Sequence, residues 1–339
     1  MVRASIYSTF ANVILETQLT QMLKTIIIGS EKQCDEYQRQ FIGIENIEIV
    51  GYFDPYLSYQ KNSALNSIEI IELNTKADAF ITDSKTFLEF YEPLETLLKF
   101  GKDFLIDGFL KLDYHRLRKL ESISYEGGST IQVANIIRNK PLYSSASQLI
   151  SEPRFIRFEK HTSNPEKGNF EDWLINNLSE ELDAILRLTG ANFKSAVARP
   201  LFLYSDTPDM LSIHIEFDND AICQITAGSA VKNGKNQAKF FQQDRLIKVD
   251  FADSNLTEYR LKDNSMQLSM MSSDEKVKNE FMEVERPIMI FDSWKKEWRN
   301  FLECREKGLS PLTSINDCQN LQIAVESIMD KIYRKYQAV

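Results

Sequence analysis

Leu23-Lys24-Thr25-Ile26-Ile27-Ile28-Gly29 opens the stretch of chain that decides the fold. It is an apolar run rich in β-branched residues that stops at a glycine, a pattern that predicts a buried strand and a tight turn. A polar segment compatible with a helix follows from Glu31 to Gln40, and a second apolar run, Ile47-Glu48-Ile49-Val50-Gly51-Tyr52-Phe53, ends at Asp54. Strand, turn, helix, strand and acid in this order predict a βαβ unit of the dinucleotide-binding type.

The turn after Gly29 lacks the glycines with which such a unit usually holds a dinucleotide. In a G-x-G-x-x-G loop the next two glycines would fall at positions 31 and 34, where this chain has Glu31 and Cys34. Glycine lets the backbone approach a pyrophosphate, whereas glutamate adds a side chain and a negative charge. Two like charges about 4 Å apart repel by about 4 kcal/mol at an effective dielectric constant of about 20. The sequence therefore predicts a dinucleotide-binding type of fold whose phosphate-binding turn has lost two of its three glycines.

Downstream of Asp54 the sequence pattern changes once. Up to residue 150, strands at Ala77–Thr82, Asp103–Asp107 and Ser129–Ala134 alternate with helices at Lys85–Phe100 and Leu112–Leu120. Such alternation needs crossover connections, which predicts a mostly parallel sheet. Beyond Phe155, strands with alternating apolar and polar residues and short turns predict an antiparallel sheet, with a helix over Phe170–Thr189 and two closing helices.

These patterns predict an α/β protein of two domains. Residues 22–150 form a Rossmann-like domain with a parallel sheet, and residues 151–339 form a C-terminal α+β domain with an open, largely antiparallel sheet. The closing helices are expected to pack back on the first domain. Residues 1–21 are interpreted as a loosely held extension, and a cleaved secretory signal is the competing interpretation.

Composition narrows the classes of function. The chain has 339 residues and a formal net charge of −9, which argues against a nucleic-acid partner or an acidic membrane surface. Its four cysteines form no C-x-x-C pair and only three histidines are present, so no metal site is predicted. Scattered thiols fit a reducing cytoplasm, and no apolar stretch approaches the ~20 residues of a membrane span.

Several stretches, taken in order from Leu23 to the C-terminus, resemble the glucose–fructose oxidoreductase and inositol dehydrogenase family (Gfo/Idh/MocA). The strand that ends at Gly29 and the acid at Asp54 lie where that family binds NAD or NADP. The other similar stretches are Ala77–Thr82, Leu98–Leu105, Leu182–Gly190, Trp294–Gly308 and the helix from Asp317 to Tyr336. The resemblance implies hydride transfer between a nicotinamide and the carbinol carbon of a sugar or polyol.

The positions at which the family carries its catalytic residues are altered here. The family's lysine, in an E-K-P motif after the fourth strand, corresponds to Asp107 in Ile106-Asp107-Gly108. Counting back from Gly190, the family's histidine base corresponds to Glu180 and its substrate-holding aspartate to Asn176. An aspartate repels the developing alkoxide that a lysine would stabilise. An unperturbed glutamate, with a pKa of about 4.3, is a poor base near neutral pH unless it is buried.

The candidate catalytic residues are thus Asp107, Asn176 and Glu180, and the candidate cofactor-binding residues are Gly29, Ser30, Glu31, Asp54 and Thr82. Three of them also have a simple structural interpretation: Asp54 as a turn residue before Pro55, Glu180 as a helix-surface carboxylate, and Asp107 as a solvated acid at a strand end. By resemblance the cofactor would be NAD or NADP, the ligand a small sugar-like molecule, and the assembly a homo-oligomer formed through the C-terminal sheet.

Three functional hypotheses follow from these residues. The first is a catalytically degenerate relative of the family with a binding or scaffolding role. The second is an active NAD(P)-dependent oxidoreductase with a rebuilt site in which Glu180 is the base. The third is a lyase or hydrolase that uses Asp107 and Glu180 as an acid/base pair, and the fold alone does not choose among them.

Overall fold

The computed structural model describes residues 22–60, 67–162, 170–203, 209–229, 234–261 and 281–336. The predicted extension, residues 1–21, lies outside the described residues. By their contacts the residues form two compact units. The first unit contains the described residues up to Asp107 with Ser122–Ile131 and Phe301–Leu309, and the second contains Gly108–Glu121, Gln132–Asn300 and the chain from Ser310 onward. A boundary near residue 150 divides the chain along the sequence, whereas contacts group residues in space, so the two descriptions differ.

The first sheet has the order β2-β1-β3-β4-β5. Its strands are β1 (Leu23–Ile28), β2 (Ile47–Phe53), β3 (Ala79–Asp83), β4 (Asp103–Asp107) and β5 (Ile131–Ala134). β1 pairs in parallel with both β2 and β3, and β3 pairs in parallel with β4. The chain therefore adds β2 on one side of β1 and then continues on the other side, so that the strand order reverses between β1 and β3.

Helices connect these strands. They are α1 (Glu31–Gln40), α2 (Pro55–Gln60), α3 (Ser67–Lys76), α4 (Ser84–Glu89), α5 (Tyr91–Lys99) and α6 (Tyr114–Gly127). The single helix predicted over Lys85–Phe100 is two helices separated at Phe90. Pro93 explains the break, because it has no N–H to continue a helical ladder but fits the first turn of a new helix.

The core of the first unit forms around β3 and β4. Phe80, Phe87 and Phe104 are fully buried, and the ring centroid of Phe104 lies 5.2 Å from that of Phe80 and 5.8 Å from that of Phe87. At the start of β4, Asp103 accepts hydrogen bonds from the Thr130 amide (2.7 Å) and from Arg305 Nε (2.6 Å). This ion pair ties Phe301–Leu309 to the first unit.

The second unit is built on a sheet with the order β13-β12-β11-β10-β6-β9-β8-β7. The strands are β6 (Phe155–His161), β7 (Phe193–Leu201), β8 (Met210–Phe217), β9 (Ile222–Gly228), β10 (Lys235–Phe241), β11 (Arg245–Asp250), β12 (Asn255–Leu261) and β13 (Phe281–Glu285). All neighbouring pairs are antiparallel except β6 with β9. The predicted fold class, a parallel-sheet domain followed by a largely antiparallel one, is confirmed.

Helices cover one face of this sheet. They are α7 (Pro141–Ser147), α8 (Phe170–Thr189) and α10 (Ile315–Tyr336), with a 3-10 turn at Ile136–Asn139. The chain also forms α9 (Ser293–Lys307), and the residues of this helix from Phe301 onward belong to the first unit. Apolar residues of α8 and α10, among them Leu182 and Ile328, share a buried cluster with alternate residues of the strands, such as Ile213 and Phe240. This packing fixes the orientation of α8, the helix that carries the candidate residues Asn176 and Glu180.

Two helices end at a glycine with a left-handed backbone conformation, and substitution of these glycines tests how much that conformation contributes to stability. Gly101 follows α5 with φ +74° and Gly308 follows α9 with φ +63°. A Cβ at Gly101 would lie 3.1 Å from the Gly127 carbonyl oxygen, whereas a Cβ at Gly308 would meet nothing within 4 Å. Gly308→Ala should lower the free energy of unfolding by about 1–2 kcal/mol through φ alone. Gly101→Ala should lower it further, which urea unfolding measures, and equal effects would contradict the role of the Gly127 contact.

Candidate functional site

The carboxyl ends of β1 and β3 form the crevice edge at which this fold type binds its ligands. β1 ends at Ile28, so that Gly29 and Ser30 form the turn into α1. Ser30 has an extended backbone and occupies the N-cap position of α1. In a dinucleotide-binding fold the amide groups at this turn face the pyrophosphate.

Here the Gln33 side chain takes up the Ser30 donors. Gln33 Oε1 accepts hydrogen bonds from the Ser30 backbone N–H (2.8 Å) and from Ser30 Oγ (2.7 Å). Gln33 Nε2 in turn donates to Asp83 Oδ2 at the end of β3 (2.7 Å). This set of contacts, which we call the Gln33 bridge, spans the gap between β1 and β3 where the strand order reverses.

Asp83 is itself fixed by α4. Its Oδ1 accepts from the Thr86 backbone N–H (3.0 Å) and its Oδ2 from Thr86 Oγ1 (2.6 Å). Asp83 is the N-cap of this helix, a position that aspartate favours because its carboxylate satisfies a free amide. The Gln33 bridge therefore joins the first turns of α1 and α4.

Asp107, at the family's lysine position, is hydrogen-bonded to a tyrosine of α1. Tyr37 is 5% exposed, and its hydroxyl donates to Asp107 Oδ2 (2.9 Å). Burial and then the Asp107 carboxylate raise the pKa of Tyr37, so the phenol keeps its proton at neutral pH. The position predicted to correspond to the family's lysine thus holds a carboxylate paired with a neutral donor.

The other residues predicted to bind a cofactor have local roles. Asp54 Oδ1 accepts from the backbone amides of Tyr56 (2.9 Å) and Leu57 (3.3 Å), which makes it the cap of α2. Thr82 is fully buried, and its hydroxyl donates to the Asp83 carbonyl (3.3 Å). Glu31 is exposed in the first turn of α1, where the helix dipole stabilises a negative charge.

Cys34, at the third glycine position, lies against β1. It is 6% exposed, and its Sγ is 3.5 Å from the Gly29 carbonyl oxygen. Burial and then the charge of Asp54 raise the pKa of Cys34 to about 11. A protonated, buried thiol is a packing residue and a poor nucleophile.

A second candidate site, which we call the acid pocket, lies within the second unit. It is formed by the chain after β4, the end of β5, the middle of α8 and the start of α10. Its lining residues are Gly108, Phe109, Val133, Ala134, Asn135, Ser179, Glu180, Asp183, Thr313, Ser314, Asp317, Cys318 and Leu321. Three carboxylates, those of Glu180, Asp183 and Asp317, make it rich in hydrogen-bond acceptors.

Arg138 stands behind two of these carboxylates. Its Nε donates to Asp183 Oδ2 (2.6 Å), its Nη2 pairs with both Asp183 Oδ1 and Asp317 Oδ1 (3.3 Å for the latter), and its Nη1 donates to the Leu312 carbonyl (2.8 Å). Burial opposes the charge on Arg138, but the Asp183 carboxylate outweighs it and raises the pKa of the guanidinium. Asn135 Nδ2 also donates to Asp183. The Arg138 network therefore holds Asp183 and Asp317 in place.

Glu180 faces the pocket without such a partner: in the part of the chain that the structure describes, no hydrogen bond or ion pair of its carboxylate is found. Burial, followed by the neighbouring Glu181 charge, raises the pKa of Glu180, and Lys140 and Lys160 oppose this. Lys160 Nζ is itself paired with Glu181 Oε1 (2.5 Å). Glu180 is therefore half-buried and closer to a working base than a free glutamate is.

The structure brings together only part of the predicted site. Gly29 and Ser30 lie at the crevice edge of the first unit, whereas Glu180 lies in the acid pocket of the second unit. Asn176 lies one helical turn before Glu180 on α8, and its side chain is outside the described residues. The sequence analysis missed Gln33, Tyr37, Asp83, Arg138, Asp183 and Asp317. Ser30-x-x-Gln33 and Ser314-x-x-Asp317 both match the pattern of a capping box and could have been found.

Two classes of site receive no support among the described residues. No group of three His, Cys, Asp or Glu side chains there is placed to hold a metal ion. Among the helices of the described ranges, none has the length and the apolar character of a membrane span. Cys318 in the acid pocket is a buried thiol whose pKa is raised by burial, so it is a poor nucleophile.

The chain is similar in sequence to a known dehydrogenase. No protein-family profile matches it. A UDP-N-acetylglucosamine 3-dehydrogenase from Acidithiobacillus ferrooxidans is 22% identical over 197 residues, which are 58% of this chain and 62% of that protein. The similar region thus spans less than two thirds of that relative's length.

Solved structures of two dehydrogenases and of an NAD-binding protein have a similar fold. The UDP-N-acetylglucosamine 3-dehydrogenase of Acidithiobacillus ferrooxidans has a TM-score of 0.74 at 18% identity, covering 91% of this chain and 97% of that one. A dehydrogenase from Clostridium difficile gives 0.69 at 17%, covering 91% and 99%, and an NAD-binding protein from Listeria innocua gives 0.70 at 15%, covering 92% and 97%. The chain has the fold of Gfo/Idh/MocA-type dehydrogenases and is divergent in sequence. The predicted resemblance is confirmed.

The half-buried carboxylate of Glu180 predicts that the stability of the fold depends on pH. Because its pKa is raised in the folded state, its contribution to stability is complete below the pKa of the unfolded chain, near the ordinary glutamate value of 4.5, and is lost as the pH rises through the folded pKa. Glu180→Gln should remove this loss, so the melting temperature of the variant should gain on that of the wild type between pH 4 and 8. The exposed Glu126→Gln controls for the loss of one charge, and parallel curves for Glu180→Gln and wild type would contradict the burial of Glu180.

Proposed function

We propose that this protein binds a sugar-like ligand in the acid pocket and carries out no hydride transfer. The observation that carries the proposal is Asp107, which stands at the family's lysine position and accepts a hydrogen bond from Tyr37. Hydride transfer from a carbinol needs a cation or donor at the developing alkoxide, and a carboxylate there opposes it. The reaction class of the family is therefore unfavourable with these residues.

The acid pocket supports a polyol ligand. Sugar hydroxyls donate hydrogen bonds, and the Glu180 carboxylate on α8 is an acceptor in the lining that the Arg138 network does not occupy. Asn135, Thr313 and Ser314 add neutral polar groups to the same lining. A pocket of this kind orients hydroxyl groups without a metal or an ionised thiol.

The relatives suggest the class of sugar. Both the similar curated protein and the first of the solved structures are UDP-N-acetylglucosamine 3-dehydrogenases. We therefore propose a nucleotide sugar as the ligand, with one sugar hydroxyl entering the acid pocket, whose volume of about 30 Å³ suits a group of the size of a water molecule. The resemblance also implies NAD or NADP as a cofactor, and binding of either one would contradict the proposal.

A second candidate function is an active NAD(P)-dependent oxidoreductase in which Glu180 is the base. It is favoured by one observation, the half-buried position and raised pKa of Glu180 beside the acid pocket. The alternative of a lyase or hydrolase that pairs Asp107 with Glu180 stays a prediction, because these residues belong to different units.

Assembly and compartment are further parts of the proposal. The face of the eight-stranded sheet opposite the helices carries exposed apolar residues, including Val197 (53% exposed) and Leu201 (42% exposed), which supports a homo-oligomer through this sheet. Light scattering should then give a multiple of the 39.3 kDa chain mass, and a single chain mass would contradict it. The buried thiols of Cys34, Cys223 and Cys318 support a cytoplasmic location, where thiols stay reduced.

The ligand proposal is tested by thermal shift. Because a ligand at about 100 times its Kd stabilises the folded state by about 2.7 kcal/mol, bound ligands raise the melting temperature clearly. We expect UDP-N-acetylglucosamine or free N-acetylglucosamine to raise it, and NADH and NADPH at about 1 mM to leave it unchanged. Glu180→Gln should reduce the sugar-dependent shift, and Glu126→Gln should not.

The outcomes separate the candidate functions. A clear shift with NADH or NADPH would overturn the cofactor-free function, and no shift with either sugar would overturn the sugar ligand. Reduction of NAD or NADP by the sugar nucleotide, lost in Glu180→Gln and kept in Glu126→Gln, would establish the oxidoreductase instead. The proposal expects no reduction above the rate without protein.

A further inference from the structure

We propose that Gln33 excludes a dinucleotide from the first unit by acting as a built-in substitute for the pyrophosphate. The proposal rests on the cofactor-free function and names the residue responsible for it. Ligands of open parallel sheets bind outside the carboxyl ends of the strands where the strand order reverses, here between β1 and β3. The Gln33 bridge crosses that place, from Ser30 after β1 to Asp83 at the end of β3.

The polar atoms of the bridge match those of a bound phosphate. Oε1 of Gln33 is an acceptor held by the Ser30 backbone N–H and the Ser30 hydroxyl, as a phosphate oxygen would be. A phosphate must displace this oxygen to reach the same amide. The displaced Gln33 would then also lose its bond to Asp83, so that three hydrogen bonds break together.

Gly29 serves the bridge. A Cβ on Gly29 would lie 3.1 Å from Gln33 Oε1 and 3.3 Å from Gln33 Cβ, both tighter than ordinary contacts. The missing side chain at Gly29 thus makes room for Gln33. Gly29 thus keeps the first glycine of the usual phosphate turn, but the group packed against it is the Gln33 side chain and not a phosphate.

Charge around the bridge acts in the same direction. Asp83 accepts from Gln33, Asp107 accepts from Tyr37, and Glu31 is exposed in the first turn of α1. Gln33 and Tyr37 are four residues apart and therefore lie on one face of α1. Displacing Gln33 would leave a pyrophosphate near the Asp83 carboxylate, and like charges repel strongly away from bulk water.

The test compares NADH binding by five forms of the full chain, followed by cofactor fluorescence. They are the wild type, Glu31→Gly, Gln33→Ala, the double variant Glu31→Gly/Gln33→Ala, and the control Gln38→Ala at an exposed position of α1. Glu31→Gly removes the charge and restores a glycine but leaves the bridge. We expect the double variant to bind NADH at least about tenfold more tightly than Glu31→Gly, and Gln38→Ala to match the wild type.

The result distinguishes this proposal from the cofactor-free function. Equal affinity of the double variant and Glu31→Gly would overturn the role of Gln33, whatever the wild type does. Binding of NADH by the wild type would overturn the cofactor-free function. A tenfold gain in NADH affinity from Glu31→Gly to the double variant would still support the role of Gln33. If Gln33→Ala does not melt cooperatively, Gln33→Met, which keeps the apolar stem and removes the polar atoms, replaces it in both comparisons. Hydrogen exchange of the Ser30 amide should also be faster in either Gln33 variant, and an unchanged rate would contradict the bridge.

Discussion

Parallel pairing is the constraint on which the first unit depends. Because β1 pairs in parallel with β2 and β3, and β3 with β4, the carboxyl ends of these strands lie at one edge of the sheet. Asp83 and Asp107 end two of these strands, and α1 starts from a third. This chain thus has acidic side chains at the edge of the sheet where a fold of this kind usually binds an anionic cofactor. Gln33 and Tyr37 supply the donors that these carboxylates need.

In the second unit a buried charge network organises the candidate site. Arg138, Asp183 and Asp317 come from the 3-10 turn, α8 and α10, and their mutual ion pairs fix these elements around the acid pocket. Removing one partner of a buried pair leaves an unpaired charge, which typically costs about 3–5 kcal/mol. Asp183 and Asp317 therefore serve the architecture of the pocket, and Glu180 is the carboxylate most available to a ligand.

Local patterns were enough to predict the architecture, and long-range contacts explain what they missed. The run from Leu23 to Gly29 specified β1, and alternation of strands and helices specified the parallel sheet. The edge strand β7 has no clear local signal, because Lys194, Arg199 and Pro200 interrupt its apolar pattern, and proline is tolerated at a sheet edge. The Gln33 bridge and the Arg138–Asp183 pair join residues 50 and 45 positions apart, so no local window contains both partners.

The central claim is that the first unit is closed to a dinucleotide by its own side chains. A crystal structure of the wild-type protein grown with NADH and UDP-N-acetylglucosamine tests it most directly. The account predicts sugar density against Glu180 and an intact hydrogen bond between Gln33 and Asp83, with no nicotinamide density. Ordered NADH between the ends of β1 and β3, with Gln33 displaced from Ser30, would contradict it.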